Sequence, residues 1–410
     1  MLLPPSKPSA RVAAAALALL AALSLSGPAA AEQGQVAPEV RLGEAVTLRP
    51  TGLLHLDLGS TFGHSAPGGP DSGLNARRAR LGVQAQLGEH VEAVFIWDFG
   101  GTPGRRNRLY EASLSYKGIE PFTLVAGVFE PSYSLLQGRS ARHLLFLERP
   151  AITEVTSDLA GGSGRVGIEL RANQDRWFAA AALTGGRTGP GEDSGQRGAL
   201  ARLAALPVRT EEVTVHLGVS GAWAFRPPRE DGRRAVTFAD QGELAVARRD
   251  TVDTGAIPAD SAWAYGAELG FAWRRLVVQG EWHGITVDRA DPPGGRLDFT
   301  GWYAQAGWVL VGGPRPYRPE AAAWGLPQTR PFDPAAGEWG AVEIGLRHSV
   351  LSLISGDVSG GRQNVTSLGL GWWPAENLGV LAQWQAGRVA GGEAGGRRWQ
   401  AVGLRVMVGF

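Results

Sequence analysis

Ala401-Val402-Gly403-Leu404-Arg405-Val406-Met407-Val408-Gly409-Phe410 decides the fold. Val402, Leu404, Val406, Val408 and Phe410 share one parity; Ala401, Gly403, Arg405, Met407 and Gly409 share the other. A period of two residues is the signature of a β-strand, here with one apolar face and one that tolerates charge. A last strand of this kind, ending on an aromatic residue, suits the closing strand of an outer-membrane β-barrel, with the valines toward lipid and Arg405 toward the lumen.

The other end of the chain agrees. Lys7 and Arg11 precede an apolar run from Val12 to Leu25, and Ala29-Ala30-Ala31 offers small residues for cleavage before Glu32. Residues 1–31 therefore read as a secretory signal peptide, which is excluded from the fold. The run is too short for a bilayer-spanning helix, and no other stretch reaches the ~18 apolar residues such a helix needs. Residues 32–52 read as a periplasmic leader and 53–410 as the barrel, in the bacterial outer membrane.

Composition fits a barrel. The chain carries 59 Gly, 14 Trp, 2 Met and no Cys. Glycine serves tight turns and crowded lumen positions, and tryptophan serves the aromatic girdles at the membrane interfaces. Without the signal segment, 38 basic residues face 39 acidic ones, so no net field points to nucleic acid. Lys7 and Lys117 are the only lysines, so arginine supplies nearly all the positive charge.

Segments of about ten residues alternate along the chain, about sixteen in all, the first at 53–59. The even number matches single-chain bacterial barrels. Leu81, Val83, Ala85 and Leu87 oppose Arg78, Arg80, Gln84 and Gln86; Tyr110, Ala112, Leu114 and Tyr116 oppose Glu111, Ser113, Ser115 and Lys117. The phase of 198–207 is ambiguous. Short joints alternate with long ones at 60–76, 131–162, 185–197, 226–261 and 389–396, as expected for periplasmic turns and outer loops. The segment 311–337 breaks this rule. It falls on the periplasmic side yet is long and proline-rich, either a long turn or a hidden hairpin.

Several stretches together resemble one family, the phosphate-selective porins O and P. Arg77-Arg78-Ala79-Arg80-Leu81-Gly82, Trp97-Asp98-Phe99, Glu111-Ala112-Ser113-Leu114-Ser115-Tyr116, Gly127-Val128-Phe129-Glu130-Pro131 and Leu147-Glu148-Arg149 are similar to its framework motifs in order and spacing. So are Val252-Asp253-Thr254-Gly255, Phe299-Thr300-Gly301-Trp302-Tyr303 and Gly369-Leu370-Gly371-Trp372-Trp373-Pro374. The resemblance implies a sixteen-stranded homotrimeric porin, with a long third loop folded into the lumen and basic residues that attract phosphate. Glu130 stands where the family commonly has a basic residue, and a mature chain with one lysine must build any cationic constriction from arginine.

Strand parity places Arg78, Arg80, Arg165, Arg171, Arg347 and Arg405 in the lumen as anion contacts. The 131–162 segment is the constriction candidate, with Arg139, Arg142, Glu148 and Arg149. Arginine's planar fork suits phosphate and carboxylate. Glu92, Asp98, Glu111, Glu169, Glu281 and Glu343 also point inward, so wall-bracing pairs compete with anion contact. Arg77 has outward phase and is expected to snorkel toward lipid phosphates. Trp339 and Trp399 have inward phase, which keeps a sugar-stacking path open.

Enzyme signals fail. Gly162-Ser163-Gly164-Arg165-Val166-Gly167 fits G-x-G-x-x-G but enters a strand, not a helix. No histidine spacing indicates a metal, and no cofactor is called for. His348 and Ser349 are adjacent strand residues on opposite faces, so they cannot act as a pair. The expected role is passive diffusion of small anionic or hydrophilic solutes, in contact with outer-membrane lipid and lipopolysaccharide. The alternatives are a non-specific or carbohydrate-type porin and, in another class, a barrel enzyme or an adhesion or structural barrel.

Overall fold

A computed structural model describes residues 39–63, 72–101, 108–189, 195–246, 250–330 and 332–410. The signal segment at 1–31 lies outside the described residues. Sixteen long antiparallel strands close into a barrel. They are β1 (Val46–Phe62), β2 (Ser72–Leu87), β3 (Val91–Asp98), β4 (Arg108–Ile119), β5 (Phe122–Phe129), β6 (Arg165–Gln174), β7 (Trp177–Arg187) and β8 (Arg197–Arg209). β9 (Val213–Arg226), β10 (Ile257–Trp273), β11 (Leu276–Arg289), β12 (Arg296–Val311), β13 (Ala341–Ser355), β14 (Val358–Ala375), β15 (Leu378–Ala390) and β16 (Arg398–Gly409) complete it. Each strand pairs with its neighbour in sequence, and β1 pairs with β16 from Leu53↔Gly409 to Phe62↔Gln400. Closure leaves no lipid-exposed edge, the condition for strands in a bilayer.

The alternation read in the last strand holds. Ala401, Gly403, Arg405, Met407 and Gly409 are buried, while Val402, Leu404 and Phe410 stay exposed on the outer face. Gly52 and Phe410 exchange backbone hydrogen bonds of 3.0 and 3.1 Å. The Phe410 ring lies over Gly52, where any Cβ would meet it at 2.5 Å. In the ambiguous segment, Leu200, Arg202 and Ala204 face inward.

Four expectations are corrected. The first strand begins at Val46, not at 53, so the barrel takes in part of the stretch assigned to the leader. Residues 46–52 pair with β2; on their other side Val46–Leu48 pair with Val40–Leu42 and Gly52 bonds Phe410, so Pro50, lacking an N–H, stands in the short unpaired stretch between them, where it is tolerated. Arg77 does not reach lipid. The β1–β2 register shifts between His55↔Arg78 and Leu56↔Ala76, and this β-bulge turns Arg77 onto Glu148. A second bulge, between Ile96↔Glu111 and Trp97↔Leu109, moves Tyr110 off the outward face of Leu114. Its hydroxyl donates to Glu130 at 2.7 Å. A bulge inserts one residue and so reverses the parity on one side of it. Finally, neither inward-phase tryptophan lines a sugar path: Trp339 lies in the turn before β13 and is exposed, and Trp399 is buried with its ring over Gly387.

The segment between β12 and β13 is both a long turn and a small hairpin. Tyr317–Arg318 pairs with Ala323–Trp324, and neither short strand joins the barrel wall. It lies at the end of the short turns, which the usual asymmetry assigns to the periplasm.

Candidate functional site

Inward side chains from strands around the barrel converge on the segment between β5 and β6, which carries the helix α1 (Ala151–Ala160). Leu135 N–H and Leu136 N–H donate to Glu281 at 2.9 and 3.3 Å, and Leu147 N–H donates to Gln383 at 2.9 Å. Arg347 and Arg405 donate to the carbonyls of Glu148 and Leu147 at 2.8 and 2.5 Å. Tyr133, Leu147 and Ile152 are fully buried. Strand side chains thus satisfy loop backbone groups that would otherwise be stranded away from water.

Glu148 is the hub. It takes a two-pronged hydrogen bond from Arg77 (2.8 and 3.0 Å), a third bond from Arg405 (3.1 Å) and an ion pair with Arg78 (3.7 Å). Burial alone would push its carboxyl up, but Arg77, Arg78 and Arg405 hold it well below the usual carboxylate range. Arg405 is also forked onto Asp57 at 2.6 Å on both prongs. Arg78 donates to His55 Nδ1 at 3.2 Å, which requires the tautomer with its proton on Nε2 because arginine only donates.

A second tie comes from the segment between β9 and β10. Glu243 pairs with Arg347 at 2.7 Å and accepts from Ser349 (2.5 Å) and from the N–H of Ala151, the first residue of α1 (3.0 Å). A carboxylate at a helix N-terminus complements the helix dipole. Nearby Asp240 accepts from Gln363 at 2.9 Å and from two backbone N–H groups. Burial and the adjacent Glu243 push its carboxyl up to about 7.

The remaining residues singled out in the sequence are placed as follows. Arg165 donates to the carbonyls of Gly161, Asp158 and Gly185 and to Gln196, so it clamps the end of α1. Arg80 bonds Asp98 at 2.8 Å with its guanidinium 3.5 Å from the Tyr110 ring centre. Arg171 stands 3.6 Å from Glu169, its side chain 32% exposed. Arg149 donates to the carbonyls of Leu136 and Arg139 and stands 3.6 Å from Glu154. Arg139 is buried against Gln279, and burial, with Arg315 nearby, lowers it to about 9. Arg142 lies apart from the rest, donating to the carbonyl of Glu376 in the short turn between β14 and β15.

Beside this network runs one polar cavity of about 1230 Å³. Arg77, Arg78, Arg80, Arg139, Glu148, Arg149 and Arg171 line it; Arg142, Arg165, Arg347 and Arg405 do not. The structure therefore divides the arginines read as luminal into a buried bracing set and a set on the cavity. Glu320 and Ala321 of the 312–340 turn also line it. That turn is seated by Arg202, which forks onto Glu268 (2.9 and 2.8 Å) and donates to the carbonyls of Ala321 and Ala322. Tyr317 bonds His216 at 2.8 Å, Trp324 is 1% exposed, and Arg315 forks onto Glu343. Glu243, Arg202 and Arg315 were not singled out from sequence. Two lie in joints with no strand period, and the third lies in the one segment of ambiguous phase.

His348 faces outward onto Thr366 at 2.8 Å, while Ser349 faces inward onto Glu243, so the two point apart as adjacent strand residues must. Gly162 and Gly164 have positive φ in a turn that leads into a strand.

Comparisons with known proteins follow the geometry. An uncharacterized protein of Caulobacter vibrioides is 25% identical over 352 residues, 81% of this chain. This chain spans 66% of that relative's length. Among solved structures, an anion-selective porin from Comamonas acidovorans aligns with a TM-score of 0.55 at 12% identity, covering 89% of this chain and all of that one. OmpT of Vibrio cholerae, in a trimer form, aligns with a TM-score of 0.55 at 10% identity, covering 90% of this chain and all of that one. At such identities these two show the fold. The family model for phosphate-selective porin O and P matches residues 51–405. From its motifs, its barrel and this match, the chain belongs to the family of phosphate-selective porins O and P.

Proposed function

We propose that this chain is an outer-membrane porin through which small hydrophilic solutes diffuse passively, with a modest preference for anions. The observation that carries the channel reading is a closed barrel with a polar cavity lined by arginines and carboxylates; the anion lean follows the arginines gathered on its strand wall. The 130–164 segment narrows the lumen and sets the constriction, supported by its bonds to strands on several sides. Arg80 and Arg171 on the wall, with Arg139 below, attract the anionic end of a solute. Carboxylates share the cavity, so the preference is weak and no single site traps the ion, as throughput requires. A channel accounts for this geometry without a catalytic step.

Export by a cleaved signal peptide and a homotrimeric state complete the reading. Strands β3 and β5 have only eight residues each. At a rise of about 3.4 Å and a tilt of about 40° they reach roughly 21 Å, short of the ~25 Å apolar band. Neighbouring copies covering that stretch would remove the mismatch, while lipid and lipopolysaccharide meet the taller wall.

Reversal potentials in a KCl gradient across a planar bilayer test the function. The expected sign is anion-preferring; a cation-preferring sign at neutral pH would overturn the anion reading, and purified protein without conductance would overturn the channel. The preference should also rise as pH falls from 8 to 6. Asp240 loses its negative charge as pH drops through about 7. One charge on the cavity lining, in water-like dielectric, is worth under about 1 kcal/mol, or roughly two-fold in selectivity. Asp240→Asn should fix the acid-side value at all pH; an unchanged pH step would exclude this carboxyl.

A further inference from the structure

The charges on the cavity are sorted by side. Among the described residues that line it, those on strands β2–β7 comprise six arginines and one carboxylate, Asp98. Those on the loops and the 312–340 turn comprise eight carboxylates and two arginines, Arg139 and Arg149. Arg80, Arg108 and Arg171 thus stand on the wall, and Glu154, Asp240 and Glu320 stand on the inserted segments. Where the two sides touch, the polarity repeats. Arg77 of the wall meets Glu148 of the loop at 2.8 Å, and Arg187 meets Asp158. A paired charge still leaves a dipole, and the dipoles of these two bridging pairs both point from loop to wall and add, while Arg80–Asp98 lies within the wall and Arg149–Glu154 within the loop.

We propose that this transverse polarity makes amino-acid-sized zwitterions the preferred solutes of the channel. The inference rests on the porin reading and narrows it. A molecule with a carboxylate at one end and an ammonium at the other can turn its carboxylate to the arginine wall and its ammonium to the loop carboxylates. It gains from both sides at once. A neutral solute of equal size gains from neither. A compact dianion such as inorganic phosphate gains from the wall and is repelled by the loops. Arginine's fork suits the carboxylate end, and scattered single carboxylates suit an ammonium, a point charge with three donors. Because each contact is a surface charge in a wet cavity, the gain orients the solute without holding it.

Liposome swelling with the purified full-length protein tests this. Serine is the zwitterionic probe and erythritol the neutral one. Serine should enter about two-fold faster or more. Glu154→Gln and Arg171→Gln, each removing one charge whose nearest opposite partner is 3.6 Å away, should both lower the serine-to-erythritol ratio. In KCl gradients the same two variants should move ion preference in opposite directions, toward anions for Glu154→Gln and toward cations for Arg171→Gln. Equal entry of serine and erythritol through a conducting protein would overturn the inference and leave the porin reading standing. Phosphate entering faster than serine would overturn it equally. Absence of swelling and of conductance together would overturn the porin reading itself.

Discussion

Excising Pro316–Pro327 and joining Arg315 to Gln328 is expected to raise single-channel conductance several-fold. The neck of this turn is already closed by the bond from Gly313 N–H to the Gln328 carbonyl, so its ends lie together without the hairpin. The hairpin borders the cavity, with Glu320 and Ala321 on the lining and Trp324 packed against Leu135, Ala272 and Val277. Its removal leaves no bare charge. Arg202 and Glu268 remain forked onto each other, and Arg315 keeps Glu343. The barrel wall should stand, because β12 and β13 pair directly from Val311↔Val342 to Thr300↔Ser352 without the turn. Planar-bilayer recording of the excised protein checks the result. A conductance equal to that of the intact chain would mean that ions bypass the hairpin.

Glu148→Gln is expected to loosen the 130–164 segment while leaving the barrel closed. The substitution preserves shape and removes one charge from among Arg77, Arg78 and Arg405. Taking one partner from a buried ionic network costs about 3–5 kcal/mol, because the remaining charges stay buried without compensation. Asp57 still holds Arg405, so the loss falls on Arg77 and Arg78 and on the loop they anchor. Limited proteolysis should then cut within 130–164 far faster than in the unaltered protein, and single-channel currents should become noisy. Acid should not imitate the substitution under mild conditions. Glu148 titrates below the usual carboxylate range, so its contribution is complete at neutral pH and is lost progressively as pH falls from the ordinary carboxylate value toward the lowered one. Equal protease resistance in the two proteins would remove Glu148 from the role of anchor.

Much of the wall was legible in the sequence, and the reason is geometric. Successive strand residues point to opposite faces, so one correctly phased residue, Arg405, carries the phase of its whole strand, and closure against β1 carries it across the seam. Parity failed where the ladder itself slips. Nothing local distinguishes Arg77-Arg78-Ala79-Arg80 with a bulge from the same residues without one, yet the bulge decides whether Arg77 faces lipid or Glu148. Val46–Gly52 escaped notice because Pro50 and Gly52 break the pattern that marks a strand; Pro50 stays in one because its neighbour on that side is missing, and Gly52 because the Phe410 ring needs the space.

The candidate site was legible by residue type but not by role. Arg78, Arg80, Arg165, Arg171, Arg347 and Arg405 share inward phase, and phase says nothing of what stands opposite. Arg347 and Arg405 bond the 130–164 segment, while Arg80 and Arg171 line the cavity, because partners arrive from far along the chain: Glu148 lies 257 residues from Arg405, and Glu243 lies 104 from Arg347. The sequence by itself determined the β-barrel, its approximate strand number and its family, since these rest on a two-residue period and on ordered local motifs. Only the tertiary structure decided which arginines hold the 130–164 segment and which lie on the cavity. Segments with no period of their own are positioned by long-range charge pairing and burial, and those contacts exist only once strands far apart in the chain have come together.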